Sequence, residues 1–280
     1  MNLSRSLVAV LFFAMTTVIL AALSLSVSSA EEEKVKKEYI FAVIPQGPPE
    51  SMHRKWLPFV DRLSRDTGLV LKLKVYENIS DFEEDIIEGK VDFAYMNPIQ
   101  EVMAWHARGY IPLVRGKKLI SGCIFTKKDS LIKEPHDLEG KEIALLGSKN
   151  VCSIVIRHDL QALNVTPRYV GSTSNVYKNV EIGETAAGGT LDIVFDSNSS
   201  EKNQEFHTIY TTEPLCPHPI SAHPSIEPGV TQLLVDTVLK HPEDKDLQVL
   251  LERIGMQDPV AADYERDYKP LEQRLSRTER

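Results

Sequence analysis

The 280-residue sequence has few cysteines and none of the common catalytic signatures. Cys123, Cys152 and Cys216 lie far apart, without a C-x-x-C pair or a Cys/His spacing, which argues against a zinc site. The sequences G-x-S-x-G, H-E-x-x-H, G-x-G-x-x-G and the P-loop pattern are also missing. We therefore expect a protein that is not an enzyme and that binds no metal or cofactor. The cysteines are either three buried thiols or one disulfide with one thiol left over.

The chain also lacks an excess of positive charge. Its formal net charge is −8, and removal of the first 30 residues, whose only charged side chain is Arg5, would make it −9. Binding to nucleic acid requires a basic surface that attracts phosphates. The charge balance therefore excludes nucleic acid as an expected partner.

Only one long apolar run occurs, from Leu7 to about Val27, and small residues follow it up to Ala30. This pattern predicts a secretory signal peptide over residues 1–30. The run is also long enough to span a bilayer, so an uncleaved membrane anchor is the alternative. In both cases the remaining 250 or so residues lie outside the cytoplasm, and they are predicted to be soluble.

The rest of the chain alternates between strand and helix patterns. Residues 39–96 are predicted to form β-α-β-α-β, and the alternation restarts over about residues 120–196. This order is typical of sheets covered by helices on both faces. Two extended segments, "IPLVRGKKLISG" and "HTIYTTEPLCPHPISAHP", lie between and after the two units. They are predicted to cross between two α/β lobes.

The loops after the strands are the expected binding positions, because ligands in open α/β sheets bind at the carboxyl ends of strands. Gln46 follows the first strand, and Tyr95 and Asn97 follow the third. The stretch "EIALLGSKNVCSIVIRHDL" (142–160) is predicted to form a strand, a turn and a helix start, where backbone N–H groups can bind an anion. The segment "VGSTSNVYKN" offers a second such helix start.

Three other groupings have weaker functional interpretations. Cys152 and His158 are the best nucleophile and base pair, but six residues apart on a turn and a helix they should point in different directions. His218 and His223 lack a third metal ligand at a recognisable spacing. Asp196, next to an apolar strand, is either a turn residue or a contact in the cleft.

Several blocks of sequence, taken in order, resemble the phosphate/phosphite/phosphonate-binding proteins of ABC transporters. They include "EGKVDFAYMNP", "DSLIKEPHDLEGKEIA", "VGSTSNVYKNVEIGETAAGGT" and "TTEPLCPHPISAHP", within a match from about Tyr39 to Leu271. The resemblance implies a two-lobed α/β periplasmic binding protein of type II, with two crossover hinge strands and a ligand cleft between the lobes. We expect the first lobe at residues 36–119 and 212–275, and the second at 120–211.

The resemblance also implies that Tyr95 contacts the ligand and that a helix N-terminus holds its oxyanion. Phosphonate binders have Ser-Thr-Ser at that helix start, whereas this chain has Lys149, Asn150 and Val151. They often have a histidine where this chain has Thr173. Two ligand classes therefore stay open, an oxyanion-bearing small molecule and a larger, less polar one. The predicted ligand-binding residues are Gln46, Tyr95, Asn97, Ser148, Lys149, Asn150, Val151, Cys152, Thr173, Ser174 and Asp196.

The resemblance further implies a periplasmic location and an ABC permease in the inner membrane as partner, and we expect a monomer. Closure of the lobes over the ligand would present a surface to the permease, with hinges near residues 120–123 and 211–214. The alternative is a sensory module whose closure signals to a membrane kinase or chemoreceptor. An uncleaved N-terminal anchor would favour that alternative.

Overall fold

The computed structural model describes residues 37–197 and 205–276. The predicted signal peptide, residues 1–30, lies outside this part of the chain. The described residues from Glu38 onward belong to one compact unit. None of the helices in the described ranges is long and apolar enough to cross a bilayer.

The first of two sheets has the strand order β11-β4-β10-β3-β1-β2. β1 pairs in parallel with β2 and β3, whereas β10 is antiparallel to β3 and β4. Aromatic and β-branched residues are enriched in strands whose two faces are both covered. Phe41 of β1 and Phe93 of β3 are fully buried, in agreement with this preference. The strands are β1 (Glu38–Val43), β2 (Val70–Lys74), β3 (Phe93–Tyr95), β4 (Ile111–Arg115), β10 (Pro219–Ala222) and β11 (Val260–Ala261).

The helices of this first lobe pack their apolar faces against the sheet and against one another. Trp56, Phe59, Val60 and Leu63 recur at helical spacing, and all four are buried. Each such burial contributes about 1.5 to 3 kcal/mol. Gly68 ends the helix with φ 71°, a conformation that glycine adopts without strain. The helices are α1 (Pro49–Thr67), α2 (Ile79–Glu88), α3 (Pro98–Arg108), α7 (Pro228–Leu239) and α8 (Lys245–Ile254).

The second sheet has the strand order β7-β6-β8-β5-β9. β6 is parallel to β7 and β8, and β5 is antiparallel to β8 and β9. The strands are β5 (Gly122–Lys127), β6 (Glu142–Leu145), β7 (Thr166–Tyr169), β8 (Ala187–Leu191) and β9 (Phe206–Thr211). The helices of this lobe are α4 (Val151–Asp159), α5 (Thr173–Glu181) and α6 (Asp192–Ser197), and a 3₁₀ turn covers Pro135–Leu138.

Gly189 in β8 lets α4 lie close to the second sheet. A Cβ atom at this position would come within 2.5 Å of Leu145 Cδ2 and 2.7 Å of Ile156 Cδ1. Contacts that short force neighbouring atoms to move. The glycine therefore determines how closely α4 packs against the second sheet. This helix follows the anion-binding turn predicted from the sequence.

Two crossover segments join the sheets, residues 116–121 between β4 and β5 and residues 212–218 between β9 and β10. They pair with each other, because Ile120 N donates to Leu215 O at 3.0 Å and Leu215 N to Ile120 O at 2.9 Å. The two-lobed α/β fold with two crossover strands is thereby confirmed. The residue numbers at which one lobe gives way to the other stay a prediction.

The last helices, α9 (Tyr264–Asp267) and α10 (Lys269–Ser276), link the lobes a third time. Tyr264 stacks on Trp105 of α3 with ring centroids 4.0 Å apart. On the other side, Arg274 of α10 contacts both carboxylate oxygens of Asp159, at the end of α4, at 2.6 Å. The C-terminal helix is therefore tied to both lobes.

Candidate ligand-binding cleft

A cavity of about 760 Å³, which we call the larger cavity, lies between the lobes. The loop after β1 supplies Gln46 and the loop after β6 supplies Ser148. Amide and hydroxyl groups predominate among its polar side chains, and it has charged ones in Glu77 and Lys149. The carboxyl ends of strands from both sheets thus meet at one cavity, as expected for an open α/β fold.

In the described part of the chain, four helices begin at this cavity. Its lining includes Ile79 at the start of α2, Asn97 before α3, Val151 at the start of α4 and Thr173 at the start of α5. Each helix has a partial positive charge at its N-terminus from its aligned N–H groups. Their convergence favours an anion in the larger cavity.

These helix starts are capped by the chain's own side chains. Asn78, Asn97 and Ser172 each accept a hydrogen bond from a backbone N–H group in the first turn of their helix. Asn150 Oδ1 accepts from Cys152 N at 3.1 Å and from Ser153 N at 3.4 Å. A ligand can bind these two N–H groups only if the Asn150 side chain turns away. Direct contact between ligand and the 147–153 turn stays a prediction, and it now depends on Asn150.

The structure brings most of the predicted binding residues to the cleft. Cys152, Ser174 and Asp196 are not among the residues that line either of its two cavities. Cys152 packs into the core of the second lobe, whereas Ser174 and Asp196 are exposed on α5 and α6. Those that line the larger cavity are Gln46, Asn97, Ser148, Lys149, Asn150, Val151 and Thr173, and Tyr95 lines the second.

Lys149 contacts the opposite lobe. Its ammonium group pairs with Glu83 of α2 and lies 3.3 Å from Ser80 Oγ. Glu83 also accepts a hydrogen bond from Gln100 Nε2 at 3.2 Å. The positive charge of Lys149 is thus largely neutralised by a carboxylate, and the pair joins the lobes beside the cavity.

A second, smaller cavity of about 520 Å³ adjoins the larger one and shares Gln46, Val194 and His218 with it. His218 stacks on Tyr95, with ring centroids 5.3 Å apart and planes inclined by 22°. Burial and the nearby charge of Lys55 lower the pKa of His218 to about 4, so the imidazole is neutral at physiological pH. Burial raises the pKa of Tyr95, so its hydroxyl stays protonated.

Lys55 and His218 are two of the cleft residues that sequence reasoning did not assign to ligand binding. Lys55 lies on α1 next to Trp56 and resembles any lysine on the polar face of an amphipathic helix. His218 had been paired with His223 as a candidate metal ligand, but His223 bonds to Ser225 Oγ at 2.7 Å and packs against Tyr110. Groups of three or more metal-ligating side chains are absent from residues 37–197 and 205–276.

The candidate nucleophile and base do not assemble. Cys152 is buried, and burial raises the pKa of its thiol well above the usual value. His158 instead contacts Asp159 Oδ1 and the carbonyl of Arg274, each at 3.0 Å. All three cysteines are free thiols. Neither the catalytic pair nor a disulfide is present.

The sequence matches the family model of the ABC transporter, phosphonate, periplasmic substrate-binding protein over residues 41–268. This chain belongs to that family. The match confirms the resemblance seen in the sequence and makes the protein a solute-binding component of an ABC transporter, located outside the cytoplasm. Proteins of this family bind substrates for transport.

Solved structures show the same fold at low sequence identity. PhnD1 from Prochlorococcus marinus, in complex with methylphosphonate, has 14% identity and a TM-score of 0.73, and the alignment covers 87% of this chain and 99% of that one. XAC2383 from Xanthomonas citri, bound to ATP, has 16% identity and a TM-score of 0.72, with 86% and 98% covered. A phosphonate-transporter binding protein from Pseudomonas aeruginosa has 12% identity and a TM-score of 0.70, with 87% and 88% covered.

Proposed function

We propose that this protein binds an oxyanion-bearing small molecule in the larger cavity and delivers it to an ABC permease. The observation that carries the proposal is the convergence of four helix N-termini on that cavity. Helix N-termini attract anions without needing a cationic side chain. The described part of the cavity wall has one carboxylate, on Glu77, which is exposed to solvent.

The polar side chains of the larger cavity complement this potential. Ser148 and Thr173 offer hydroxyl groups and Gln46 an amide, each able to donate a hydrogen bond to an oxyanion. Lys149, Asn150 and Val151 stand where the resemblance places the three hydroxyls of phosphonate binders, and Asn150 is occupied as a helix cap. We therefore expect weaker binding of a simple alkylphosphonate than of a ligand with further polar or charged groups.

The comparisons support a phosphorus oxyanion as the chemical class. One structure with this fold holds methylphosphonate and another holds ATP, so the fold accommodates such ligands of very different size. For this chain we propose a cleaved signal peptide, a monomeric periplasmic receptor and no catalysis of its own. Lobe closure about the crossover segments would then form the surface that the permease binds.

The test is a thermal-shift screen of the protein exported to the periplasm of an expression host. The probes are inorganic phosphate, phosphite, methylphosphonate, sulfate and acetate. A probe at a hundred times its dissociation constant stabilises the protein by about 2.7 kcal/mol, which raises the melting temperature measurably. We expect a shift with a phosphorus oxyanion and none with acetate. The proposal would be contradicted if all five probes changed the melting temperature by the same amount.

A further inference from the structure

The smaller cavity contains a lysine that has no ionic partner among the residues that the structure describes. Lys55 lines it from α1, is half-buried, and makes no ion pair with any residue in the described ranges. Burial lowers the pKa of Lys55, because the charged ammonium loses hydration there. By contrast, Arg54, the preceding residue, is exposed and pairs with Glu50. A half-buried cation without a counterion among the described residues is a position where an anionic ligand group would gain binding energy.

The other polar groups of this cavity are compatible with an anion. Within the described residues its lining has no carboxylate, and Lys118 provides a second, exposed ammonium group. The neutral amides of Gln46 and Gln257 can donate hydrogen bonds, as can the protonated hydroxyl of Tyr95. Asp192 lies next to the cavity, but its Oδ1 already accepts from the N–H groups of Ser121 and Ile193.

The remaining wall of the smaller cavity is apolar. Ile120 of the first crossover and Ile254 at the end of α8 face it, together with Leu191 and Ile193 from the second lobe. Apolar side chains beside ammonium groups suit an organic anion better than a free, fully hydrated ion. The wall therefore indicates that a carbon-containing part of the ligand enters this cavity.

The two cavities adjoin at Gln46, Val194 and His218, and they measure about 760 and 520 Å³. The Lys149–Glu83 pair already joins the lobes beside the larger cavity, so these volumes do not describe a widely opened cleft. Pockets for drug-sized molecules measure about 300 to 1,000 Å³. The cleft therefore has room for considerably more than a single phosphorus oxyanion.

We infer that the ligand is an organic molecule with two anionic groups, an oxyanion in the larger cavity and a second anionic group, such as a carboxylate, beside Lys55 in the smaller one. This inference rests on the proposed function and specifies its substrate class. It assigns Lys55 as the residue that selects for the second charge. A ligand whose second group is an ammonium would be repelled, because Lys55 and Lys118 are the charged groups there.

The test is calorimetric titration with phosphonates that differ in the second group. Methylphosphonate has none, and phosphonoacetate, 3-phosphonopropionate and 4-phosphonobutyrate have a carboxylate at increasing distance. 2-Aminoethylphosphonate has an ammonium group instead. We expect at least one carboxylate compound to bind ten times more tightly than methylphosphonate. The ammonium compound should bind more than ten times more weakly than that carboxylate compound.

Lys55→Gln should abolish the tenfold gain, should change the affinity for methylphosphonate by a much smaller factor, and should not lower the melting temperature. Arg65→Gln is the matched control, because Arg65 is an exposed cation on the same helix that lines neither cavity. It should leave all affinities unchanged. Methylphosphonate binding without a carboxylate gain, or a gain that survives Lys55→Gln, overturns the inference and leaves the proposed function standing. Absence of binding by every phosphonate and by inorganic phosphate overturns both.

Discussion

In the part of the chain that the structure describes, two ion pairs join the lobes, and they differ in burial and geometry. Lys149 makes a single contact with Glu83 beside the larger cavity, and 48% of the lysine side chain is exposed. Arg274 binds both oxygens of Asp159 and is 18% exposed. Exposed lysine pairs contribute at most about 1 kcal/mol, whereas charge-assisted hydrogen bonds that are shielded from water, like the two that Arg274 Nη2 makes here, are stronger. The first pair is therefore suited to break when the cleft opens, and the second to persist.

The partners of Asp159 extend this contrast. Tyr210 Oη donates to it at 2.8 Å and His158 contacts it at 3.0 Å. Arg274 also donates to the carbonyl of Glu213, in the second crossover, at 3.1 Å. The C-terminal helix, the far end of α4 and one crossover thus form a single network. The near end of α4, at the larger cavity, can respond to ligand while its far end stays anchored.

A third carboxylate, Glu101 of α3, has no cationic partner within residues 37–197 and 205–276. It is fully buried, Ser221 Oγ donates to its Oε2 at 2.5 Å, and its Oε1 has no partner among the described residues. Burial raises the pKa of Glu101 to about 8, against a lowering effect of the Ser221 hydrogen bond. The group is thus mostly neutral at physiological pH.

The largest effect is expected from Asp159→Ala. The substitution leaves Arg274 partly buried without its counterion and removes the acceptor of Tyr210. We expect the free energy of unfolding, measured by denaturant titration, to fall by about 3 kcal/mol. Glu50→Gln, which breaks the exposed pair with Arg54, is the control and should cost less than about 0.5 kcal/mol. Similar losses in both variants would show that the Arg274–Asp159 pair is no stronger than an exposed ion pair.

Glu101→Gln should change how stability depends on pH. Because the folded-state pKa lies above that of the unfolded chain, the folded wild type binds an extra proton between about pH 4.5 and 8. Its stability therefore falls as the pH rises through this window and levels off above it. The glutamine variant keeps a neutral group and lacks this decline. At pH 8 it should be more stable than the wild type by on the order of 2 kcal/mol, and at pH 4.5 no more stable. Parallel pH profiles would show that Glu101 does not titrate in this way.

The smallest effect is expected from the pair beside the cavity. Lys149→Met and Glu83→Gln should each lower the affinity for the tightest-binding oxyanion by less than about fivefold, because each removes one exposed contact that favours closure. The double variant should lose no more than either single variant, as measured by calorimetry. A large loss in Lys149→Met alone, with Glu83→Gln unchanged, would mean that Lys149 contacts the ligand itself.

The sequence predicted local elements better than long-range partners. The buried face of α1 and its end at Gly68 follow from helical periodicity and from glycine's conformational freedom. The arrival of Gln46, Asn97 and Thr173 at one cavity follows from the rule that strand ends form the ligand site. The pairing of Lys149 with Glu83, 66 residues away, left no trace in composition or spacing.

The N-cap role of Asn150 and the position of Lys55 in the site were missed in the sequence for different reasons. Asn150 precedes the apolar start of α4 and could have been identified as an N-cap, since asparagine is favoured there. That interpretation would have shown in advance that two N–H groups of the turn have an internal acceptor. Lys55 could not have been identified, because its place in a cavity with residues of both crossovers appears only in the folded structure.

The most direct test of the account is the crystal structure of the protein with the phosphorus oxyanion that gives the largest thermal shift. We expect the oxyanion to lie in the larger cavity, within hydrogen-bond distance of backbone or side-chain donors at the starts of α4 and α5. We also expect Arg274 and Asp159 to keep their contact in that complex. An oxyanion bound elsewhere, with the larger cavity filled by an uncharged part of the ligand or by solvent alone, would contradict it.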